Sequence, residues 1–212
     1  MRLKLWAAAV ALMFLLTPPA PAQDADQEAV QRIAGQIQSE IQKLPNYGVF
    51  DDLGFGIADG GKKVILRGQA SRPTLKSSAE NIAKKVEGVQ EVVNEIEVLS
   101  LSGMDDRIRA RVYAAIYGHP TLSRYNPNRG SPMWVSPGRI AAGITNDPPI
   151  GNHPIHIIVN KGNVRLEGVV DTIGDKAIAG IQVNSVSGVF GVENDLVALR
   201  GSDKKDKKNK KK

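Results

Sequence analysis

A chain of 212 residues without a cysteine excludes a disulfide scaffold, thiolate catalysis and a lipid anchor on cysteine. Its formal charge of +6 is unevenly placed: Arg2 and Lys4 carry +2, the last ten residues hold seven Lys and two Asp for +5, and residues 23–202 are left at −1. This is a near-neutral body with a basic extension, which excludes an evenly basic surface.

The chain opens with Arg2 and Lys4, an apolar run over residues 5–16, and "TPPAPAQ" with Ala20 and Ala22 before Gln23. A basic start, a short apolar run and small residues at the exit predict a secretory signal peptide over residues 1–22, cut after Ala22. The run is shorter than the roughly 20 residues a membrane span needs. No later segment is apolar enough to cross a bilayer, so an exported protein with no transmembrane segment after cleavage is expected.

Val30, Ile33, Ile37, Ile41 and Leu44 form a helical stripe on residues 24–44. Residues 55–70 alternate around a glycine-bearing turn and predict a β-hairpin. Val64, Leu66 and Ala70 share one face, and Gly68 on that face marks a close approach, expected from the covering helix. Leu75, Ala79, Ile82, Ala83 and Val86 predict that helix, with Ser71 as its N-cap and Pro73 in its first turn. Gly88 suits the left-handed stop beyond it. Val92, Asn94, Ile96 and Val98 then share one face of a last strand.

After the joint "LSLSG" (residues 99–103) the order repeats. Met104, Ile108, Val112 and Ile116 mark a helix over residues 105–117, and residues 155–170 form a second hairpin. A shift of 100 residues aligns 64–99 with 164–199 without a gap. It pairs Gly68 with Gly168, Gly88 with Gly188 and Asn94 with Asn194, and it sets Asp171 at the cap position of Ser71. Both modules read helix, strand, strand, helix, strand. Asn94 and Asn194 have the parity of the apolar face. A buried unpaired amide costs about 1–3 kcal/mol, so both are expected to clamp neighbouring backbone. The second module carries an excess over residues 118–153, rich in Pro, Gly and Asn and expected to be an irregular loop. Residues 200–212 are expected to be a disordered basic tail.

The order G-x-V-x-L-x-G-x-V, helix, G-V-x-x-V-x-N-x-L-x-V in "GNVRLEGVV … SVSGVFGVENDLVAL" resembles the BON (bacterial OsmY and nodulation) domain. "KKVILRGQA … KVEGVQEVVNEIEVL" repeats the pattern, with Ala70 where the motif prefers Val. The resemblance covers residues 24–99 and 104–199. It implies an α+β fold of two tandem αββαβ modules, each a three-stranded sheet with two helices on one face. It also implies an exported, periplasmic class linked to osmotic stress and envelope integrity, some members binding anionic phospholipid, with no catalytic residues.

The residues themselves offer little catalysis. "GFGIADGG" has the wrong spacing for a phosphate cradle and leads into a strand instead of a helix. His153 and His156 fall short of the about three or four ligands of a zinc site. His156 lies on the strand face opposite Ile155 and Ile157 and is expected in solvent, and His119 ends a helix. No enzyme activity, metal or cofactor is expected.

Two unrepeated features carry the binding expectations. Met133, Trp134 and Val135 sit between prolines, suited either to shallow insertion at a lipid interface or to folding back on their own core. Lys204, Lys205, Lys207, Lys208, Lys210, Lys211 and Lys212 can each contribute up to about 1 kcal/mol at an anionic membrane, or serve only to solubilise. Anionic lipid is the expected partner, and export argues against nucleic acid. The rival surface is the uncovered sheet face of the second module. There Ile158, Val169, Val197 and Leu199 lie beside Arg165, Glu167, Glu193 and Asp195, a mixture suited to the other module, an envelope protein or a chaperone-like adaptor role.

Overall fold

The computed structural model describes residues 22–127 and 153–201, with side chains from residue 26 onward. In module 1, α1 (Ala22–Gln42) buries Ile33, Ile37 and Ile41, which recur at helical spacing. The hairpin follows as β1 (Asp52–Ala58) and β2 (Lys63–Ala70), paired antiparallel. Then come α2 (Pro73–Lys85), β3 (Glu91–Asn94) and β4 (Glu97–Val98). Val64, Leu66 and Ala70 face α1 and α2 and are fully buried with Leu75, Ala79 and Ala83.

Module 2 repeats the order as α3 (Gly103–Tyr117), β5 (Ile155–Asn160), β6 (Asn163–Thr172), α4 (Ile173–Asn184), β7 (Gly191–Asn194) and β8 (Val197–Arg200). The α+β architecture of two tandem modules is therefore present. The third strand is split in both. β3 and β4 pair parallel with β2 at one constant offset, Lys63 with Glu91 and Gln69 with Glu97. β7 and β8 keep that offset along β6, Asn163 with Gly191 and Val169 with Val197. At the break, Ile96 N donates to Asn94 Oδ1 at 3.2 Å and Leu196 N to Asn194 Oδ1 at 3.4 Å, so each asparagine satisfies an amide of the sheet edge. The amides that face the neighbouring strand, Glu95 N and Asp195 N, keep their bonds to Leu66 O and Leu166 O.

The close approach at Gly68 comes from β1, not from the covering helix. Gly68 has a φ of 108° and Gly168 one of 117°, and a Cβ would overlap the Asp52 and Pro154 carbonyls respectively. The helix caps also fall one residue later than Ser71 and Asp171. Arg72 precedes α2 without a side-chain cap, and Thr172 caps α4 in a reciprocal box with Asp175. The Ser71 and Asp171 amides instead donate to Asp51 Oδ1 at 2.6 Å and to the Tyr125 hydroxyl at 2.7 Å.

The first residues of the expected 118–153 loop are built into module 2. A 3-10 turn, Ser123–Tyr125, follows α3, and Leu122 and Tyr125 are buried in the core. Among the described residues, no helix is long and apolar enough to cross a membrane.

The modules are joined by the connection between α1 and β1. Val49 and Phe50 belong to module 1 by sequence, yet both are buried in the core of module 2. Ile157 N donates to Val49 O at 2.7 Å, so the connection pairs with the edge of β5, and the Phe50 ring meets Tyr113 edge-on at 6.4 Å. Asp51 fixes this connection, accepting from Gly48 N at 3.1 Å as well as from Ser71.

Candidate binding surfaces

The strand face away from the helices is the surface each module offers. In module 1 it is a ladder of opposite charges set by strand register. Lys63 meets Glu91 at 2.7 Å and Arg67 meets Glu95 at 2.9 Å. Gly54 and Gly56 leave open space on the same face of β1.

In module 2 the face is divided. Ile158 and His156 are buried on it: the connection pairs with β5, and Gln69 at the end of β2 bonds Arg165 of β6. The Tyr47 ring sits 5.7 Å from the His156 ring. Burial first, then Asp52 and Asp51, pushes the Tyr47 hydroxyl above its ordinary value. The expectation of a solvated His156 is thus corrected: strand parity keeps it out of its own module's core, and module 1 covers it. Burial lowers its pKa, with Asp52 opposing. His153 is also buried, edge-on to Tyr117 at 5.8 Å. Among the described residues no cluster could hold a metal ion. His119 Nδ1 accepts from Thr121 N at 3.2 Å just past the end of α3.

Arg165 anchors the covered half. It bonds Gln69 Oε1 of module 1 and lies 3.7 Å from Asp52 and 3.3 Å from Glu167. Beside it runs a groove of about 440 Å³ lined by Gln69, Leu99, Ile158, Asn160 and Glu193. The other half stays open. Val169, Val197 and Leu199 are 44%, 59% and 70% exposed. Val169 pairs with Val197 in register, and Leu199 follows two residues on, so the three share this face.

The paired asparagines tie helix to strand. Asn94 Nδ2 donates to Lys76 O at 3.1 Å and to Glu80 Oε2 at 3.0 Å. Asn194 Nδ2 donates to Lys176 O at 2.8 Å, and Gly180 stands where module 1 has Glu80, leaving room for the amide. Gly88 and Gly188 follow their helices with φ of 99° and 94°, against Ile33 and Ile108. Gly68 and Gly168 serve strand pairing.

Met133, Trp134, Val135 and the seven lysines of residues 204–212 lie outside the described residues, as do residues 1–21 of the expected signal peptide. The last described residue, Gly201, leaves the end of β8. Sequence reasoning passed over Tyr47, Val49 and Phe50. Their signal was three large apolar residues packed between a finished helical stripe and the next strand, with no periodicity of their own.

No curated protein matches the chain. Among solved structures it is similar to the C-terminal domain of CdsD, the structural protein of the type III secretion system of Chlamydia trachomatis. That match has 12% identity, covers 78% of this chain and 96% of that one, and has a TM-score of 0.25. A second CdsD structure from Chlamydia trachomatis matches at 12% identity over 84% of this chain and 97% of that one, with a TM-score of 0.24. The model of the BON domain matches residues 29–100 and 138–200, one segment in each repeat, and on that match the chain belongs to the BON domain family.

Proposed function

We propose that this is a non-enzymatic, exported binding protein of the cell envelope that associates peripherally with anionic phospholipid and supports envelope integrity under osmotic stress. Family membership supports an envelope-associated binding role. The observation that carries the lipid reading is charge segregation: +5 on residues 203–212 against −1 on residues 23–202. A lysine block of this kind is drawn to an anionic surface by up to about 1 kcal/mol per residue, and salt weakens the attraction. Met133, Trp134 and Val135 would add shallow apolar insertion, since Trp favours the interface.

The test is co-sedimentation with vesicles of phosphatidylglycerol or of neutral lipid at two salt concentrations, with and without residues 203–212. Binding is expected only to anionic vesicles, falling with salt and with removal of the lysines. Trp134 is the single Trp left after signal cleavage, so its fluorescence reads insertion directly and should shift to the blue. Equal binding to neutral vesicles would sink the charge mechanism, and an unshifted spectrum would sink insertion.

A second reading is favoured by one observation, the exposed apolar row of Val169, Val197 and Leu199. A protein partner seated there would bind in high salt and without the lysines, and this separates the two readings.

A further inference from the structure

The repeats match in register but not in charge. Where module 1 pairs Arg67 with Glu95 at 2.9 Å, the corresponding residues of module 2 are Glu167 and Asp195. Asp195 N donates to Leu166 O just as Glu95 N donates to Leu66 O, so the two carboxylates face each other across the same rung. Glu193 lies two residues before, on the same side. Like charges placed opposite each other in a sheet repel. Arg165, the nearby cation, is already held by Asp52, Gln69 and Glu167. Burial pushes the Glu167 carboxyl above its ordinary value; Arg165 opposes this, and Asp52, Asp195 and Glu193 add to it. This half of the face has an excess of negative charge, and Val169, Val197 and Leu199 lie exposed beside it.

We propose that this acid-lined, apolar-floored face is the resting seat of the chain's own lysine extension, residues 203–212. The charges are complementary, seven Lys against Glu167, Glu193 and Asp195. The reach is sufficient. Gly201 ends the described chain with a φ of 91°, a left-handed bend suited to reversing direction. From there back to Glu193 is about 26 Å at roughly 3.3 Å per residue. Residues 202–212 can extend to about 36 Å. Lysine stems can lie on Val197 and Leu199 while their ammonium groups reach the acids. The short tether gives an effective concentration on the order of millimolar, so individually weak ion pairs suffice.

The consequence rests on the lipid reading above. Seated lysines are withheld from the membrane, and an anionic surface must compete for them. Apparent lipid affinity is then reduced by the seated fraction.

Two-dimensional nitrogen-15 NMR decides the seat without lipid. Spectra of the full chain, of a chain lacking residues 203–212 and of a chain with all seven tail Lys changed to Gln are compared. The last variant changes none of the described residues. The amides of Val169 and of residues 193–199 should move in both variants, and should move in the full chain when salt is raised to about 0.5 M. Combined Glu167→Gln, Glu193→Gln and Asp195→Asn should abolish the response. It should also raise affinity for phosphatidylglycerol vesicles about two- to tenfold. Face amides that ignore the lysines overturn the proposal. Shifts that grow with protein concentration also overturn it, because they assign the seat to the tail of a second copy. Face amides that respond in a chain that binds no vesicles leave the seat standing and remove the lipid reading.

Discussion

The two modules share a core and differ on their surfaces. Gly68 and Gly168 meet the same carbonyl of the neighbouring strand, and Asn94 and Asn194 sit at the same split of the third strand. Yet the edge of β5 is closed by Val49 and Phe50, while Phe55 and Ile57 on the matching β1 are only partly buried. The repeat is a folding instruction, and it leaves edges and outer faces free to take different roles. Closure of module 2 comes from outside its own repeat, through a connection that belongs to module 1.

The largest expected effect tests that borrowed closure. Phe50→Ala removes a ring that is 2% exposed and should cost about 3–5 kcal/mol. The loss should appear in module 2: hydrogen exchange should accelerate along β5 and β6, and the calorimetric transition of module 2 should move down. If β1 and β2 lose protection first, Phe50 serves its own module and the comparison fails.

A steric change should strike both modules alike. Gly68→Ala and Gly168→Ala each place a methyl against a strand carbonyl at positive φ. Strain of about 1–3 kcal/mol is expected at each site, read as a lowered unfolding midpoint in denaturant. A tolerated substitution at only one of them would show that the shared backbone geometry is not equally tight.

Much of this core was legible because its signals are local. Gly-x-Val spacing, the helical stripes and the Asn two residues before an aliphatic each act within a few residues. The split of the third strand was not legible, because the bond from Ile96 N to Asn94 Oδ1 beside it cannot be read from parity. The Thr172 cap was also present in sequence as Thr-x-x-Asp, but Asp171 was the nearer match to Ser71. What could not be read was long-range. Parity set His156 outside its own core, and only the path of residues 47–52 decides that it is covered. The candidate lipid contacts were legible as composition alone, since charge and Trp placement need no fold.

His156 also separates the modules by pH, because the matching position in β1 is Gly54. It faces the Tyr47 ring and the backbone of Gly48 and Asp51 from the connection, Asp52 at the start of β1, and Glu167 across the strand pair. Burial holds its folded pKa below the unfolded value near 6.5. The unfolded chain therefore binds more protons in the window below about 6.5, and stability falls as pH falls through it. The slope can reach at most about 1.4 kcal/mol per pH unit. Unfolding between pH 7.5 and 5.5 should flatten in His156→Gln. An unchanged profile would place the titration elsewhere.

The smallest effect bears on why the faces could diverge. Arg67→Glu gives module 1 the acid pair that module 2 carries at Glu167 and Asp195. The Arg67 and Glu95 side chains are 63% and 52% exposed, and exposed pairs contribute only about 0.2–1 kcal/mol. The variant should therefore lose less than about 1 kcal/mol, and salt should restore part of the loss by screening the new repulsion. Urea midpoints at low and high salt measure both. A larger loss, or one that salt does not relieve, would mean that the charge ladder of module 1 holds its sheet together. A small loss means that the outer face is nearly neutral to folding. An acid pair on module 2 then costs the fold little, and it is free to meet a basic segment.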